Sequence, residues 1–168
     1  LYFNEPQILL SERLSEAFVD GRVYLCNSGA EANEAALKFA RRYGSVTRDE
    51  PNRTNFITFK KSFHGRTMFA LSATAQPKYH KGFEPVVPGF RYATFNDIDS
   101  VAALMDDTVC GVLVEPIQAE GGIIMPEPGF LKDLRQLTED NGALLLLDEV
   151  QCGVGRTGSF FAFEQEGI

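Results

Sequence analysis

The sequence ALLLLDEVQ, at residues 143–151, decides the fold. Five apolar residues run without a polar interruption and are followed directly by the carboxylates of Asp148 and Glu149. A short apolar run of this kind, preceded by Gly142, predicts a parallel strand that is buried on both faces. Because ligands bind beyond the carboxyl ends of such strands, we expect Asp148 at a binding cleft. A buried carboxylate needs a compensating partner, for which we propose a protonated ring nitrogen of a cofactor.

Predicted strands and helices alternate along the rest of the chain. Further strands are predicted at residues 22–26, 55–59, 90–95 and 109–114. Helices are predicted from near Pro6, with Asn4 as a possible cap, to Asp20 and at residues 30–43, 67–73, 97–105 and 130–141. This alternation predicts an α/β fold, a mostly parallel sheet with helices on both faces. In such a sheet, the polar residues that follow the strands share one edge and converge on a single cleft.

Composition and charge exclude several classes of protein. The chain has 168 residues, which fit one domain, and its net charge of −7 argues against nucleic acid or an anionic membrane as a partner. No apolar run approaches the roughly 20 residues that span a bilayer, and the opening residues 1–5 lack the basic start of a signal peptide. The three cysteines, Cys26, Cys110 and Cys152, lack the spacing of metal ligands, and Cys26 and Cys110 fall in predicted buried strands. We therefore expect a reduced, cytoplasmic protein without a metal site.

The tripeptide Ser28, Gly29 and Ala30 opens a predicted helix directly after a predicted strand. Free backbone N–H groups and the helix dipole attract a phosphate at such a position, and Gly29 allows a close approach. The pattern is neither a P-loop nor a GxGxxG motif. For the tripeptide alone, a helix-capping serine followed by a turn glycine is the favoured interpretation.

Two residues of the predicted turn at 62–66 could contact a ligand. The ring of Phe63 could stack on a flat cofactor, or it could pack on the edge of the sheet. Arg66 could hold a substrate carboxylate through two parallel hydrogen bonds, or it could be a solvated arginine in the first turn of a helix. The local sequence leaves both alternatives open.

Acidic residues follow the last two predicted strands. Glu115 and Glu120 lie around a Gly- and Pro-rich loop and could form the carboxylate pair of a glycosidase, pair with an arginine, or face solvent. Asp148 could keep a pyridine nitrogen protonated, with Gln151 reaching a ring hydroxyl. Alternatively, Asp148 could cap a helix or bind magnesium, as in a nucleotide-dependent α/β enzyme, although no matching phosphate loop is present.

Five motifs occur in a characteristic order: NSGAEANEAA at 27–36, FHGR at 63–66, EPIQAEGG at 115–122, DEVQ at 148–151 and GRTG at 155–158. Together they resemble the class III pyridoxal-phosphate-dependent aminotransferases and cover nearly the whole chain. The resemblance implies part of the large domain of a fold-type I enzyme with pyridoxal 5′-phosphate as its cofactor. Ala119 departs from the family pattern, because many relatives have glycine there.

The resemblance implies that the cofactor is bound by seven residues: Ser28, Gly29, Ala30, Phe63, Asp148, Val150 and Gln151. The first three hold its phosphate, and Asp148 is the catalytic residue that pairs with the pyridine nitrogen. Phe63 and Val150 pack on the two ring faces, and Gln151 contacts the phenolic oxygen.

The resemblance also implies how substrates bind. Arg66 holds the substrate carboxylate, Glu120 neutralises an arginine of a C-terminal domain, and Glu115 helps to order the site. The amino donor is N-acetylornithine or a related ω-amino acid, the acceptor is 2-oxoglutarate, and the enzyme is a cytoplasmic homodimer of arginine or lysine biosynthesis. Ornithine, succinylornithine and 4-aminobutyrate remain alternative donors.

One residue that the family requires has no counterpart among the lysines. The lysine that carries the cofactor as a Schiff base follows GRTG in the family, whereas the six lysines here lie at 38, 60, 61, 78, 81 and 132. We therefore expect this chain to lack the N-terminal segment, the lysine region and the C-terminal small domain, and to be inactive alone. A non-catalytic fragment that binds the cofactor or dimerises is the alternative.

Overall fold

The computed structural model describes residues 2–18 and 21–168 of the chain. Its sheet contains four strands: β1 (Asn55–Phe59), β2 (Phe90–Ala93), β3 (Val109–Val114) and β4 (Leu144–Leu147). They lie in the order β2-β1-β3-β4, and every neighbouring pair is parallel. The predicted α/β fold with a mostly parallel sheet is confirmed.

In the described residues, six α-helices connect or flank the strands: α1 (Glu5–Ala17), α2 (Gly29–Arg42), α3 (Met68–Ala73), α4 (Pro77–His80), α5 (Ile98–Ala102) and α6 (Phe130–Asp140). A π-helical turn (Tyr43–Thr47) extends α2, and a 3₁₀ helix (Ala162–Glu166) lies near the end of the chain. The predicted end of the first helix, Asp20, lies outside the described residues.

Helices cover both faces of the sheet because alternate strand residues point to opposite sides. On one face, Ile57 and Val112 pack in a core with Leu134 of α6 and Val101 of α5. On the other face, the neighbouring residue Phe56 packs in a core with residues of α2 and α3. The continuous apolar character of β1 and β3 follows from this burial on two sides.

The segment at residues 22–26 is not the strand that the sequence predicted. Residues 21–26 form no regular structure, and Cys26, expected in a buried strand, is exposed. The Tyr24 ring instead packs edge-on against the Phe39 ring of α2, with 5.4 Å between their centroids. A short apolar run is not a strand unless a neighbouring strand supplies its hydrogen bonds, and the described sheet places none beside it.

Strand β4 is less buried than the sequence predicted. All four of its leucines are only partly buried, because β4 is the outermost strand of the described sheet and pairs with β3 alone. Its carboxyl end still enters the interior, where Asp148 N–H donates to the Val114 carbonyl at 2.8 Å.

Candidate active site

A cavity of about 340 Å³ lies at the carboxyl end of the sheet. The turn after β1, the loops after β3 and β4, and the start of α2 enclose it. Its lining consists of Gly29, Ala30, Asn33, Phe63, His64, Gly65, Arg66, Glu115, Asp148, Val150 and Gln151. The strand ends therefore converge on one cleft, because parallel strands deliver the residues that follow them to the same edge.

The first turn of α2 forms one wall of this cavity. The Ser28 hydroxyl oxygen accepts the Glu31 N–H at 3.2 Å, so that Ser28 acts as the helix cap. The N–H groups of Gly29 and Ala30 have no acceptor within the helix, which leaves them available to a ligand beside the positive end of the dipole. A Cβ atom on Gly29 would lie 2.9 Å from both methyl carbons of Val150, so only glycine allows the two walls to approach this closely.

Asp148 forms the buried end of the cavity, with 7% of its surface exposed. Its Oδ2 accepts hydrogen bonds from His64 Nδ1 at 2.7 Å and from Asn33 Nδ2 at 2.8 Å. Its Oδ1 accepts the Val150 N–H at 3.2 Å. Asn33 also donates to the His64 carbonyl oxygen at 2.8 Å, which fixes the histidine backbone against the same helix.

These donors decide the charge of Asp148. Burial raises the pKa of its carboxyl group, but the hydrogen bond and charge of His64, with the Asn33 and Val150 donors, bring the pKa below the ordinary aspartate value. The cavity thus contains a buried carboxylate that is ionised at neutral pH and whose Oδ1 is less fully hydrogen-bonded than its Oδ2.

The pKa of the Glu115 carboxyl group is shifted in the opposite direction from that of Asp148. Glu115 is only 3% exposed, and burial raises the pKa of its carboxyl group to about 7, although the charge of His64 and the Phe63 N–H partly oppose this rise. The Phe63 N–H donates to Glu115 Oε2 at 3.1 Å, which links the loop after β3 to the aromatic turn after β1. The cavity therefore holds two carboxyl groups whose pKa values are shifted in opposite directions.

Phe63 and Arg66 lie on the wall next to α4. The Phe63 ring is edge-on to the Tyr79 ring at 5.7 Å, and Arg66 Cζ lies 5.8 Å from the centre of the same ring. Arg66 is exposed, so its guanidinium is available to an anion that enters from solvent.

Seven of the predicted site residues line this cavity: Gly29, Ala30, Phe63, Arg66, Asp148, Val150 and Gln151. The cavity lining does not include Ser28, whose side chain caps α2, or Glu120, which is exposed in the following loop. Glu115, which was expected to help order the site, does line it. Within the part of the chain that the structure describes, no lysine lines the cavity.

Sequence reasoning assigned no role to two residues that the structure places beside Asp148. Asn33 is one helical turn beyond Gly29 and therefore lies on the same face of α2. His64 directly follows Phe63 in the predicted turn at residues 62–66. The positions of Asn33 and His64 in the sequence could therefore have placed both residues at the cleft. They do not show that both side chains contact one oxygen of Asp148.

Within residues 2–18 and 21–168, no helix is both long enough and apolar enough to span a bilayer. In the same residues, no group of three or more His, Cys, Asp or Glu side chains is arranged to hold a metal ion.

Comparison with known families gives a match over the whole chain. The family model described as aminotransferase class-III matches residues 1–168. Succinylornithine transaminase from Salmonella paratyphi B is 48% identical over 167 residues, which are 99% of this chain and 41% of that protein. The chain therefore spans about two fifths of the length of the curated relatives it matches.

Solved structures agree with this match. Ornithine aminotransferase from Toxoplasma gondii superposes with a TM-score of 0.93 at 34% identity, covering 99% of this chain and 40% of that one. Another structure of that enzyme is reported with partial occupancy of pyridoxal phosphate at its active site. N-acetylornithine aminotransferase from Stenotrophomonas maltophilia superposes with a TM-score of 0.81 at 39% identity and the same coverage.

Proposed function

We propose a function for this protein from the fact that the chain belongs to the class-III aminotransferase family. Enzymes of this family depend on pyridoxal 5′-phosphate. The whole protein transfers an amino group from an N-acylated ornithine or a related ω-amino acid to 2-oxoglutarate. The 48% identity with a succinylornithine transaminase and the likeness to an N-acetylornithine aminotransferase support an acylated ornithine as the donor.

The described chain is part of the cofactor-binding large domain of that protein. Its coverage of about two fifths of its relatives and the absence of a lysine from the described cavity support this assignment. The lysine that anchors the cofactor then comes from another part of the protein.

The phosphate end of the cofactor fits the start of α2. Gly29 and Ala30 present two N–H groups without helical acceptors, and a Cβ on Gly29 would close the gap to Val150. We assign the phosphate to these N–H groups, and Ser28 supports them by capping the helix. The wall thus provides donors and positive potential where the ligand carries negative charge.

The ring end of the cofactor fits Asp148, and this carboxylate is the single observation that carries the proposal. Among the described residues, Oδ1 of this buried, ionised carboxylate accepts one hydrogen bond, from the Val150 N–H, and a protonated ring nitrogen would supply it with a second, charged donor. The bound cofactor withdraws electrons from the carbon that carries the amino group. Asp148 keeps the ring nitrogen protonated, while His64 and Asn33 hold Asp148 in place and ionised.

The other walls orient the ring and the substrate. Phe63 stacks on one ring face, Val150 packs on the other, and Gln151 donates to the phenolic oxygen. Arg66, exposed at the mouth, binds a substrate carboxylate. We assign to Glu120 the pairing with an arginine from elsewhere in the protein.

The protein acts as a cytoplasmic homodimer. Helix α1 has no buried residue, and its Ile8, Leu9 and Leu10 are between 43% and 50% exposed, which favours coverage by a second subunit or another domain. Its three cysteines are unpaired, as suits a reducing compartment.

Transamination by the full-length protein tests this function. With pyridoxal 5′-phosphate, 2-oxoglutarate and either N-succinylornithine or N-acetylornithine, we expect glutamate to form together with the corresponding semialdehyde. Ornithine and 4-aminobutyrate complete the panel of donors. Asp148→Asn should lower turnover by about 100-fold or more, the range for removing one electrostatic contact of an active site. Absence of glutamate with every donor would reject the function.

A further inference from the structure

A second cavity of about 340 Å³ adjoins the proposed active site and shares Arg66 with it. Its other lining residues come from α3, α4 and the segment after α4: Met68, Leu71, Lys78, Tyr79 and Phe83. The walls are therefore apolar and aromatic, with one cationic side chain from Arg66 and another from Lys78.

The side chains of Arg66 and Lys78 both contact the ring of Tyr79. Arg66 Cζ lies 5.8 Å from the centre of this ring, and Lys78 Nζ lies 4.7 Å from the same point. The Tyr79 ring is in turn edge-on to the Phe63 ring, with 5.7 Å between their centroids. This second cavity, the side pocket, therefore lies directly beside the wall of the active site. Both cations therefore lie against the same ring, beside the wall of the active site that Phe63 forms.

The charge of this side pocket is not neutralised within the described chain. No acidic residue lines it, and neither Arg66 nor Lys78 forms an ion pair among residues 2–18 and 21–168. Two like charges against one aromatic ring repel each other, and anionic groups placed between or beside them would relieve this repulsion. The pocket therefore suits a molecule with an apolar middle and a carboxylate at each end.

We propose that this side pocket binds the acyl group of an N-acylated amino-acid substrate, and that Lys78 selects acyl groups that end in a carboxylate. The proposal rests on the proposed function, which places the substrate's α-carboxylate on Arg66. The acylated α-nitrogen is bonded to the same carbon as that carboxylate, so the acyl group begins close to Arg66. The methylene carbons of a dicarboxylic acyl group would contact Leu71 and Tyr79, and its terminal carboxylate would pair with Lys78.

This arrangement makes Lys78 a specificity-determining residue. An acetyl group fills the apolar part of the pocket but carries no charge to pair with Lys78. A succinyl group ends in a carboxylate, which the Lys78 ammonium group complements. Because Lys78 is exposed, solvent weakens the pair, and we expect selectivity of about two- to fivefold.

Kinetics of Lys78→Met in the full-length, cofactor-loaded enzyme test the selectivity. Methionine keeps an unbranched side chain and removes the charge. We expect KM for N-succinylornithine to rise about two- to fivefold, with kcat and both constants for N-acetylornithine nearly unchanged. Lys81→Met, which makes the same charge change three residues away and outside the pocket lining, should leave all four constants unchanged. Equal effects of Lys78→Met on the two donors would overturn the proposal.

Binding provides a readout that does not need turnover. Calorimetry of the full-length protein with N-succinylglycine and N-acetylglycine compares the two acyl groups without a transferable ω-amino group. Lys78→Met should weaken binding of the succinyl compound alone, and Lys78→Arg should retain it. Unchanged succinylglycine affinity in Lys78→Met would overturn the proposal whether or not the enzyme transaminates. Failure of all donors alongside charge-dependent binding would reject the proposed function only.

Discussion

Asp148 and His64 join the ends of strands β4 and β1 through a hydrogen bond of 2.7 Å between buried side chains. His64 Nδ1 donates to Asp148 Oδ2, and Asn33 of α2 donates to the same oxygen. Oδ2 therefore accepts two side-chain donors, while Oδ1 accepts, among the described residues, only the Val150 N–H. Three distant stretches of the sequence meet at a single group, and its charge depends on all of them.

His64→Leu should move the ionisation of Asp148 to higher pH. Hydrogen bonding and charge from His64 lower the pKa of Asp148, so removing them raises it, and the carboxylate is then lost at a higher pH than in the parent. Cofactor affinity falls at low pH, and this acid limb of the affinity–pH curve should move to higher pH. Affinity at neutral pH should fall about tenfold, as expected for a lost bond to a charged group. Cofactor titration by absorbance across a pH series measures both effects.

The chain's other histidine is a suitable control for this change. His80 Nε2 contacts the carbonyl oxygens of Leu71 and Thr74 and does not line the active-site cavity. His80→Leu should lower stability while leaving the acid limb in place. An acid limb that is the same in His64→Leu and the parent would refute the assigned role of His64.

Gly29→Ala should weaken cofactor binding without a large loss of stability. The added Cβ would lie 2.9 Å from both Val150 methyl carbons and narrow the gap between the phosphate and ring walls. Gly29 has no positive φ angle, so alanine introduces no backbone strain there. The dissociation constant for pyridoxal 5′-phosphate, measured by fluorescence, should rise at least several-fold.

The double variant Gly29→Ala/Val150→Ala isolates the steric cause. Removing the two methyl carbons of Val150 restores the space, so the double variant should bind the cofactor better than Gly29→Ala alone. Such a coupling between contacting residues is what a double-mutant cycle detects. Strict additivity of the two substitutions would show that their contact does not limit binding.

Gly65→Ala should destabilise the fold by collision as well as by strain. Gly65 has φ +127°, and its added Cβ would lie 2.7 Å from the Cβ of Ala30. Gly82 provides a matched control, because it has φ +90° and no heavy atom within 4 Å of an added Cβ. Gly82→Ala therefore reports backbone strain alone, about 1–3 kcal/mol.

Urea unfolding of both alanine variants measures the difference. We expect Gly65→Ala to lose more unfolding free energy than Gly82→Ala, by about 1–3 kcal/mol for the overpacked contact. Equal losses in the two variants would mean that the turn after β1 moves away from α2 at little cost, contrary to the packed arrangement observed.

The sequence predicted what local patterns determine. Apolar runs marked β1 and β3, and the rule that ligands bind beyond parallel strands brought Asp148, Phe63 and Arg66 to one cavity. The sequence did not predict the hydrogen-bond partners of Asp148, because Asn33 and His64 lie 115 and 84 residues away along the chain. Periodicity describes which face of an element is buried but not which polar side chains meet across elements.

The same limit explains the two errors in the fold. The apolar character of residues 22–26 and of β4 was evident, but pairing depends on neighbours that the local sequence does not specify. Residues 22–26 have no strand beside them in the described sheet, and β4 has one rather than two. A strand assignment therefore needs a partner as well as a pattern.

Glu115→Gln should make stability less dependent on pH between about 4.5 and 7. Burial raises the pKa of Glu115 from 4.5 to about 7, so in this window the folded state binds a proton that the unfolded state has released. Its contribution to folding is complete below pH 4.5 and is lost as the pH rises through 7. The loss is at most about 3 kcal/mol, from the size of the pKa shift.

Denaturant unfolding of the full-length protein and its variants at a series of pH values measures this effect. Glutamine keeps a carbonyl oxygen to accept the Phe63 N–H but cannot ionise, so Glu115→Gln should gain stability relative to the parent as the pH rises through 7. Glu120→Gln, an exposed position in the same loop, should follow the parent throughout. Parallel stability curves for Glu115→Gln and the parent would mean that Glu115 is ionised in the folded protein at neutral pH.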